Sequence, residues 1–315
     1  MKTYNTKYGT LTDMGEYTLH ENGNLKDAVI LEKMELTTPN GVLTPQYEYA
    51  DHRRKYIYSI SFYENGTLRR ISLNNKTEIV TPIGAMTAEL ITFYESGKIK
   101  RVFPLNGHIS AYWEENDEYQ LAEEKSFEFS FGSIRAKIIA ISFYENGAVK
   151  DLTFWPNEKV KILTPLGEMK VRIGISLYPN GQLKSFEPAY QVRIQTPIGL
   201  MKAFDYNANG ITGDRNSLIF SEMGDIQSMI SSGIQVTVQS NENDEWILYT
   251  PKQEVDEDGI EICFHTLKIE FEENNICFND GEKYDLSKHK FIIKPYNRPA
   301  PSQCTDCASC VLCIK

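Results

Sequence analysis

The stretch SISFYENGTLRR at residues 59–70 decides the fold of this chain. Apolar residues alternate with polar ones up to Phe62, a Tyr-Glu-Asn-Gly turn follows, and an aliphatic residue and two arginines complete the motif. Alternation with period two is typical of a half-buried strand. Asn-Gly between two such runs is the strongest short signal for a β-hairpin, because a type I′ turn needs positive φ at both central residues. We therefore predict a type I′ hairpin turn at Asn65-Gly66.

The same motif, called the Tyr-Gly motif below, recurs along the chain and predicts a series of hairpins. Its clear copies are LITFYESGKIKR at 90–101, AISFYENGAVKD at 140–151 and GISLYPNGQLKS at 174–185, and its degenerate copies are HENGNLKD at 20–27 and FSEMGDIQS at 220–228. A second motif, Thr-Pro-x-Gly, interleaves with it at 38–41, 81–84, 164–167 and 196–199. The tyrosines are predicted to occupy equivalent places in successive hairpins: Tyr63, Tyr94, Tyr144 and Tyr178.

The apolar spacing changes after each turn. Leu68 is followed by Ile71 and Val149 by Leu152, at a spacing of three rather than two. A strand cannot keep one face buried across that spacing, so we predict a β-bulge two or three residues beyond each turn glycine. Helical periodicity is almost absent, with Trp113–Lys125 as the best candidate. The predicted fold is all-β: an array of antiparallel β-hairpin repeats with a C-terminal cysteine-rich metal-binding tail.

The Phe-Tyr-Glu-Asn-Gly-x-Leu-Arg/Lys pattern resembles the MORN-like repeat of many bacterial proteins, including the antitoxin-like group. The resemblance covers roughly residues 20–230, and it implies a scaffold built of hairpins. We predict three segments. Residues 1–230 form the MORN-like repeat domain, residues 231–294 add hairpins that close the array, and residues 295–315 hold a proline-containing linker and the cysteine tail. Within the middle segment, residues 234–250 look like a hairpin, and three strand-like runs lie between 260 and 295.

The C-terminal cysteines are the strongest functional signal. Four of the six cysteines lie within the last 12 residues, two residues apart: Cys304, Cys307, Cys310 and Cys313. In a reducing compartment such a group indicates metal or redox chemistry before it indicates disulfides. A single tetrahedral zinc is hard to reach from four ligands on one short loop, whereas a [4Fe–4S] cube offers four iron sites.

The tail also resembles the Cys-x2-Cys-x2-Cys segment of bacterial ferredoxins, which implies an iron–sulfur cluster held by Cys304, Cys307 and Cys310. In ferredoxins the next gap is three residues and a proline follows, while here the gap is two and Ile314 follows. We predict Cys313 as the fourth ligand, with Cys263 or Cys277 in reserve, although a buried core position is favoured for these two. The alternatives are zinc or another soft metal, redox-active thiols, and a tail that becomes ordered with a partner.

Composition limits the predicted partners. Lys and Arg number 33 and Asp and Glu 43, a net charge of −10, which argues against nucleic acid and against an anionic membrane surface. The chain shows neither a secretory signal nor an apolar run of membrane-spanning length, so we predict a cytoplasmic protein. The expected partner is a redox protein with a basic docking face, or a second copy of the chain in a homo-oligomer.

Other polar constellations are weaker. Asp214 and Asn216 fit a ligand-binding turn, but a plain turn between strands is the favoured interpretation. The acidic run at 114–118, near His108 and Trp113, is interpreted as a solvated loop because it lacks calcium-loop spacing. No catalytic motif is visible. The leading hypothesis is an iron–sulfur protein for electron transfer or redox sensing. A non-redox interaction scaffold is the alternative, and an enzyme that uses the cluster as Lewis acid or electron donor comes third.

Overall fold

The structure is a computed structural model that describes residues 3–49, 52–208, 213, 216–242, 245–255, 262–279 and 281–296. Strands hold 58% of these described residues and helix 3%, and the sheets are antiparallel. Ordinary domains hold about a third of their residues in helices, and the described part of this chain has far fewer. The all-β prediction is therefore confirmed, while the predicted cysteine tail lies outside the described residues from 297 onward.

The described residues before 190 form one short helix, α1 (Glu115–Leu121), inside the candidate helical stretch, and the following strands: β1 (Tyr4–Thr6), β2 (Gly9–Leu11), β3 (Met14–Leu19), β4 (Leu25–Ile30), β5 (Leu36–Thr38), β6 (Gly41–Leu43), β7 (Ile60–Phe62), β8 (Leu68–Thr81), β9 (Gly84–Phe93), β10 (Ile99–Phe103), β11 (Glu124–Phe129), β12 (Gly132–Phe143), β13 (Val149–Phe154), β14 (Val160–Thr164), β15 (Gly167–Leu177) and β16 (Leu183–Pro188). The described residues from 190 onward form β17 (Val192–Thr196), β18 (Gly199–Ala203), β19 (Leu218–Phe220), β20 (Ile226–Ser231), β21 (Ile234–Ser240), β22 (Trp246–Tyr249), β23 (Lys252–Val255), β24 (Ile262–His265), β25 (Leu267–Phe271), β26 (Asn275–Phe278), β27 (Lys283–Asp285) and β28 (His289–Pro295).

The chain divides into two compact units. Unit 1 comprises Met1–Ala189, Ala208–Asn216 and Phe220–Asp225, and unit 2 comprises Tyr190–Asn207, Ser217–Ile219 and Ile226–Lys315, each with the gaps given above. The three-segment division drawn from the sequence stays a prediction.

Unit 1 is built on one antiparallel sheet whose strands follow one another in the order β3-β4-β7-β8-β9-β10-β12-β13-β15-β16. The five copies of the Tyr-Gly motif between residues 20 and 185 each join two neighbouring strands of this sheet. The Thr-Pro-x-Gly motifs form the turns of other hairpins, namely β5–β6, β8–β9, β14–β15 and β17–β18. In the β8–β9 turn the Thr81 hydroxyl donates to the Gly84 carbonyl at 2.7 Å. The sequence repeats therefore map onto repeated hairpins, as predicted.

The turn at the centre of each Tyr-Gly motif differs from the predicted type I′. The Gly66 amide donates to the Tyr63 carbonyl, and the Tyr63 amide donates to the Thr67 carbonyl. Gly66 has φ +76°, whereas Asn65 is not at positive φ. These contacts define a type I turn over Glu64-Asn65 followed by a glycine bulge, so the type I′ prediction is wrong. Asn65 instead accepts a hydrogen bond from the Thr67 amide at 2.8 Å.

The predicted bulge beyond each turn is confirmed. Ser61 pairs with Arg70 while Phe62 pairs with Leu68, so Arg69 is the extra residue, three positions past Gly66. The same shift recurs in the other hairpins of unit 1, where the extra residues are Lys26, Lys100, Lys150 and Lys184. The residue that the bulge inserts is thus basic in all five hairpins.

The bulge keeps one face of the sheet apolar across all hairpins. Ile60, Ile71 and Ile91 lie opposite one another, and Val102 and Ile141 continue the row. All five side chains are at most 1% exposed, which places them in the core of unit 1. Without the extra residue, one strand of each hairpin would turn its apolar residues to the other face.

Unit 2 is also antiparallel. Its main strands lie in the order β20-β25-β26-β27, and a separate sheet has the order β22-β21-β28. The β21–β22 pair confirms the hairpin predicted at 234–250, and β24, β25 and β28 match the three predicted runs. Its core includes the fully buried Phe278, on which the half-buried Tyr249 ring stacks with centroids 4.6 Å apart. Among the described residues, no helix is long and apolar enough to span a membrane.

Candidate functional site

The cysteine tail cannot be placed from the structure, because Cys304, Cys307, Cys310 and Cys313 all lie outside the described residues. The side chain of Cys263 also lies outside the described part. Cys277 is described: it is 7% exposed on β26, and its thiol donates to the Gly281 carbonyl at 3.3 Å. Cys277 therefore occupies the core position that sequence analysis favoured for it. Within the described ranges, no group of three or more His, Cys, Asp or Glu could hold a metal ion.

The tyrosines of the motif form a ladder that ties each hairpin to the next. The Tyr63 hydroxyl donates to the Phe93 carbonyl at 2.8 Å, and the Tyr94 hydroxyl donates to the Phe143 carbonyl at 2.8 Å. Tyr144 bonds the Leu177 carbonyl in the same way. The predicted equivalence of the tyrosines is thus confirmed, because each one contacts the same place in the following hairpin.

The ladder extends into the degenerate copies. The Tyr178 hydroxyl donates to the Phe220 carbonyl at 2.6 Å, and in the copy at 20–27 the imidazole of His20 lies 3.1 Å from the Phe62 carbonyl. Partial burial raises the pKa of Tyr94, Tyr144 and Tyr178, so these hydroxyls remain donors at neutral pH. The ladder is structural.

A row of polar side chains crosses the sheet on the face opposite the apolar row. In this polar row each residue lies directly opposite the next: Thr18, Asp27, Ser61, Arg70, Thr92, Arg101, Ser142, Asp151, Ser176 and Ser185. Each of the two aspartates in the row accepts a hydrogen bond from a neighbouring serine. Ser61 donates to Asp27 at 2.6 Å and Ser142 donates to Asp151 at 2.9 Å. The central part of the row, between these two carboxylates, contains the two arginines.

The centre of the polar row opens into a cavity of about 600 Å³, the basic groove. Its charged lining consists of five cations and one carboxylate: Arg69, Arg70, Lys100, Arg101, Lys150 and Asp151. These residues are three consecutive pairs, each made of an inserted bulge residue and the residue after it. On a chain with net charge −10, this is a local concentration of positive charge.

Arg70 is a cation of the groove whose charge is only partly compensated. It forms no hydrogen bond or ion pair with any of the described residues, and it is only partly exposed. Burial, together with the adjacent Arg69 charge, lowers the pKa of Arg70, and Asp27 offsets this only in part. Arg69 itself lies 3.3 Å from Asp27, and Arg101 packs 4.8 Å from the Phe103 ring centroid. An anion in the groove would compensate the Arg70 charge.

A second polar cluster in unit 1 has all its charges paired. Arg53 binds Glu89 at 2.6 Å and Glu118 at 2.7 Å. Glu118, only 3% exposed, also accepts hydrogen bonds from the Gly107 amide and the Trp113 indole. Burial alone would raise the pKa of Glu118, but the hydrogen bonds from Arg53 and Trp113 lower it. We interpret this cluster as a structural anchor for the segment around α1.

These contacts overturn one sequence interpretation and add detail to another. The acidic run at 114–118 was interpreted as a solvated loop, and this is wrong for Glu118, which is buried in the ion-pair cluster. The Asn216 amide donates to the Ser185 hydroxyl and the Gly213 carbonyl, at 2.7 and 2.8 Å, so this residue joins a turn to the polar row. Asp214 lies outside the described residues.

Neither a family model nor a curated protein matches this sequence. The resemblance to MORN-like repeats stays a prediction, and the description of the fold depends only on the observed hairpin geometry. The basic groove was missed in the sequence because the pairs Arg69-Arg70 and Lys100-Arg101 look like ordinary strand-end charges. The available signal was that a basic residue stands three positions past the glycine in all five copies from residue 20 to residue 185.

Proposed function

We propose that this protein is an iron–sulfur protein whose β-hairpin scaffold carries one [4Fe–4S] cluster on Cys304, Cys307, Cys310 and Cys313. The observation that carries the proposal is the cysteine spacing, with two residues in each gap. The donor set fits, because four cysteine thiolates are the ordinary ligands of such a cluster. When bound, the cluster supplies one-electron transfer, which serves either a redox partner or a redox sensor.

The position of Cys277 supports Cys313 as the fourth ligand. The Cys277 thiol is buried and bonded to the Gly281 carbonyl, and the neighbouring Phe278 is fully buried. Using Cys277 as a ligand would require β26 to leave the core of unit 2. Cys263 stays the reserve ligand of this proposal.

The remaining parts of the proposal concern place and partner. Thiolate ligands need a reducing compartment to remain free of disulfides, so we place the protein in the cytoplasm. The net charge of −10 favours a redox partner with a basic docking face. A homo-oligomer is the other arrangement, and light scattering on the purified protein distinguishes the two.

The test is metal analysis of full-length protein purified without oxygen. We expect about four iron and four sulfide per chain, with a broad absorption band near 400 nm. Replacing Cys307 or Cys310 by Ser should abolish the band. Cys277→Ser is the matched control and should keep the full cluster.

The outcome for Cys313 decides the ligand set. If Cys313→Ser keeps a full cluster while Cys263→Ser loses it, the fourth ligand lies in the body of the protein. Stoichiometric zinc without iron would contradict the proposal and favour the alternative, a non-redox interaction scaffold with a zinc-binding tail. A protein free of any metal would favour a scaffold whose tail binds a partner.

A further inference from the structure

We infer that the basic groove is a binding site for a small organic anion that carries a diphosphate or two phosphate groups. The inference is independent of the cysteine tail, because every residue that it uses lies in unit 1. It depends on three features: the converging cations, the guanidinium of Arg70, which has no ion-pair partner among the described residues, and the size of the cavity.

The cations converge because of the sheet register. Arg70 on β8 and Arg101 on β10 both lie opposite Thr92 on β9, one on each side. Adjacent strands are about 4.8 Å apart, so the two arginines flank Thr92 across about 10 Å of sheet. Both side chains line the same cavity, and their length allows the guanidinium groups to reach one ligand above Thr92.

Two polar groups at the centre of the groove are available for a ligand, whereas Arg101 already donates to the Thr153 hydroxyl at 3.3 Å. Arg70 has no hydrogen-bonding or ion-pairing partner among the described residues, and the Thr92 hydroxyl likewise forms no side-chain hydrogen bond there. Guanidinium groups bind phosphate oxygens in pairs, and a hydroxyl between them adds a further donor. A partly buried cation without a partner is costly, so a bound phosphate group would compensate Arg70.

The charge and volume of the groove favour a diphosphate over a smaller anion. Five cations and one carboxylate line the cavity and Arg69 pairs with Asp27, which leaves a positive surplus that a diphosphate neutralises more fully than one inorganic phosphate or a dicarboxylate does. The volume of about 600 Å³ lies in the middle of the range typical of small-molecule sites. Phe93, Phe103 and Phe143 also line it, which gives an organic body of the ligand an apolar surface to contact.

The same row explains why the site takes a small molecule rather than a polymer. Asp27 and Asp151 lie at the two ends of the basic segment, opposite Ser61 and Ser142. A nucleic acid would carry its phosphates past both carboxylates, where repulsion opposes binding. The basic surface is therefore limited to the three hairpins that contain Arg70, Arg101 and Lys150.

The test is calorimetric titration of the full-length protein with inorganic pyrophosphate and, for comparison, inorganic phosphate. We expect saturable binding of one pyrophosphate per chain, at least tenfold tighter than phosphate, and weaker at higher salt. Arg70→Gln should weaken pyrophosphate binding by about tenfold or more. Lys100→Gln, at a bulge position, should weaken it by a smaller factor.

Lys184→Gln is the matched control. Lys184 stands at the same bulge position and lies 5.6 Å from the Tyr178 ring centroid, as Lys100 does from that of Tyr94, but it does not line the groove. Its replacement should leave affinity unchanged. A thermal melt checks that each variant folds; if Arg70→Gln does not fold, Lys100→Gln and Lys150→Gln together take its place.

Three outcomes would overturn the inference. The first is that pyrophosphate does not bind the wild-type protein. The second is that Lys184→Gln weakens binding as much as the groove variants do, and the third is that the groove variants have no effect. A second experiment, binding to lipid vesicles, distinguishes a free phosphorylated ligand from a lipid headgroup. Sedimentation with phosphatidic acid vesicles in the absence of measurable pyrophosphate binding would assign the groove to a membrane lipid and overturn the inference. Failure of the iron–sulfur proposal leaves all these outcomes unchanged.

Discussion

Replacing Gly147 by Ala tests the hairpin geometry most directly. Gly147 has φ +90°, which L-residues with a Cβ atom rarely adopt. A left-handed conformation costs an alanine roughly 1–2 kcal/mol. A Cβ atom at this position would lie 3.4 Å from Pro82 Cβ, an ordinary contact, so steric clash adds little. We therefore expect Gly147→Ala to lower the free energy of unfolding by about 1–2 kcal/mol.

Two companion variants identify the cause of that loss. Gly181 has φ +84° with nothing near its Cβ position, so Gly181→Ala should cost as much as Gly147→Ala if the φ angle alone is responsible. Asn146→Gly separates the turn types. A type I′ turn would accept glycine there, but here Asn146 accepts a hydrogen bond from the Ala148 amide at 3.0 Å. Its replacement should cost about 0.5–1 kcal/mol.

The assay is equilibrium urea unfolding followed by circular dichroism, with the midpoint shift read at unchanged slope. Glu145→Ala, an exposed change in the same turn, is the control and should stay within about ±0.5 kcal/mol. A Gly147→Ala shift inside that same scatter would refute the turn geometry. A stabilising Asn146→Gly would show that the type I′ turn is present after all.

The remaining predictions concern the ladder, the ion-pair cluster and the tail. Tyr144→Phe removes the hydroxyl that donates to the Leu177 carbonyl and should cost about 1 kcal/mol in urea unfolding; no loss would mean that water replaces the bond. Glu118→Gln removes the ionised partner of Arg53 and should cost about 2 kcal/mol or more at pH 7. Because the folded-state pKa of Glu118 is lowered, its contribution is fully present above the unfolded pKa of about 4.3 and is lost as pH falls through the folded pKa. Unfolding measured from pH 7 to pH 3 should therefore show a smaller loss in the Gln variant, and identical losses would contradict this. Cys307→Ser should lose iron while its thermal midpoint stays that of the metal-free wild type; a large drop would place this residue in the folded core.

The features that sequence analysis predicted correctly depend on local patterns. The apolar residues alternate with period two before Tyr63 and have a spacing of three after Leu68. Both patterns lie within one short stretch of sequence, so the hairpin and its bulge could be predicted together. The turn type was missed because Asn-Gly suits both a type I′ turn and a type I turn with a glycine bulge. Only the backbone angle of Asn65 separates them.

The features that were missed depend on contacts between distant parts of the chain. Glu118 is buried because Arg53, 65 residues earlier, pairs with it. Arg70 and Arg101 share a groove because β8 and β10 flank β9. Neither fact is visible from the charge pattern near each residue. For the cysteine tail the sequence supplies the donor set, and the cluster stays a prediction.

The tyrosine ladder has a consequence for how such a protein can grow. Each hydroxyl bonds a main-chain carbonyl of the following hairpin, as Tyr94 does at Phe143 and Tyr144 at Leu177. Because every residue has a main-chain carbonyl, the bond does not depend on which side chain the following hairpin carries at that position. Any hairpin that ends its first strand in this way can follow any other. Duplication or deletion of a whole hairpin in the gene would preserve the joints on both sides. The length of the array and the charges along its groove are thus free to diverge independently of its folding.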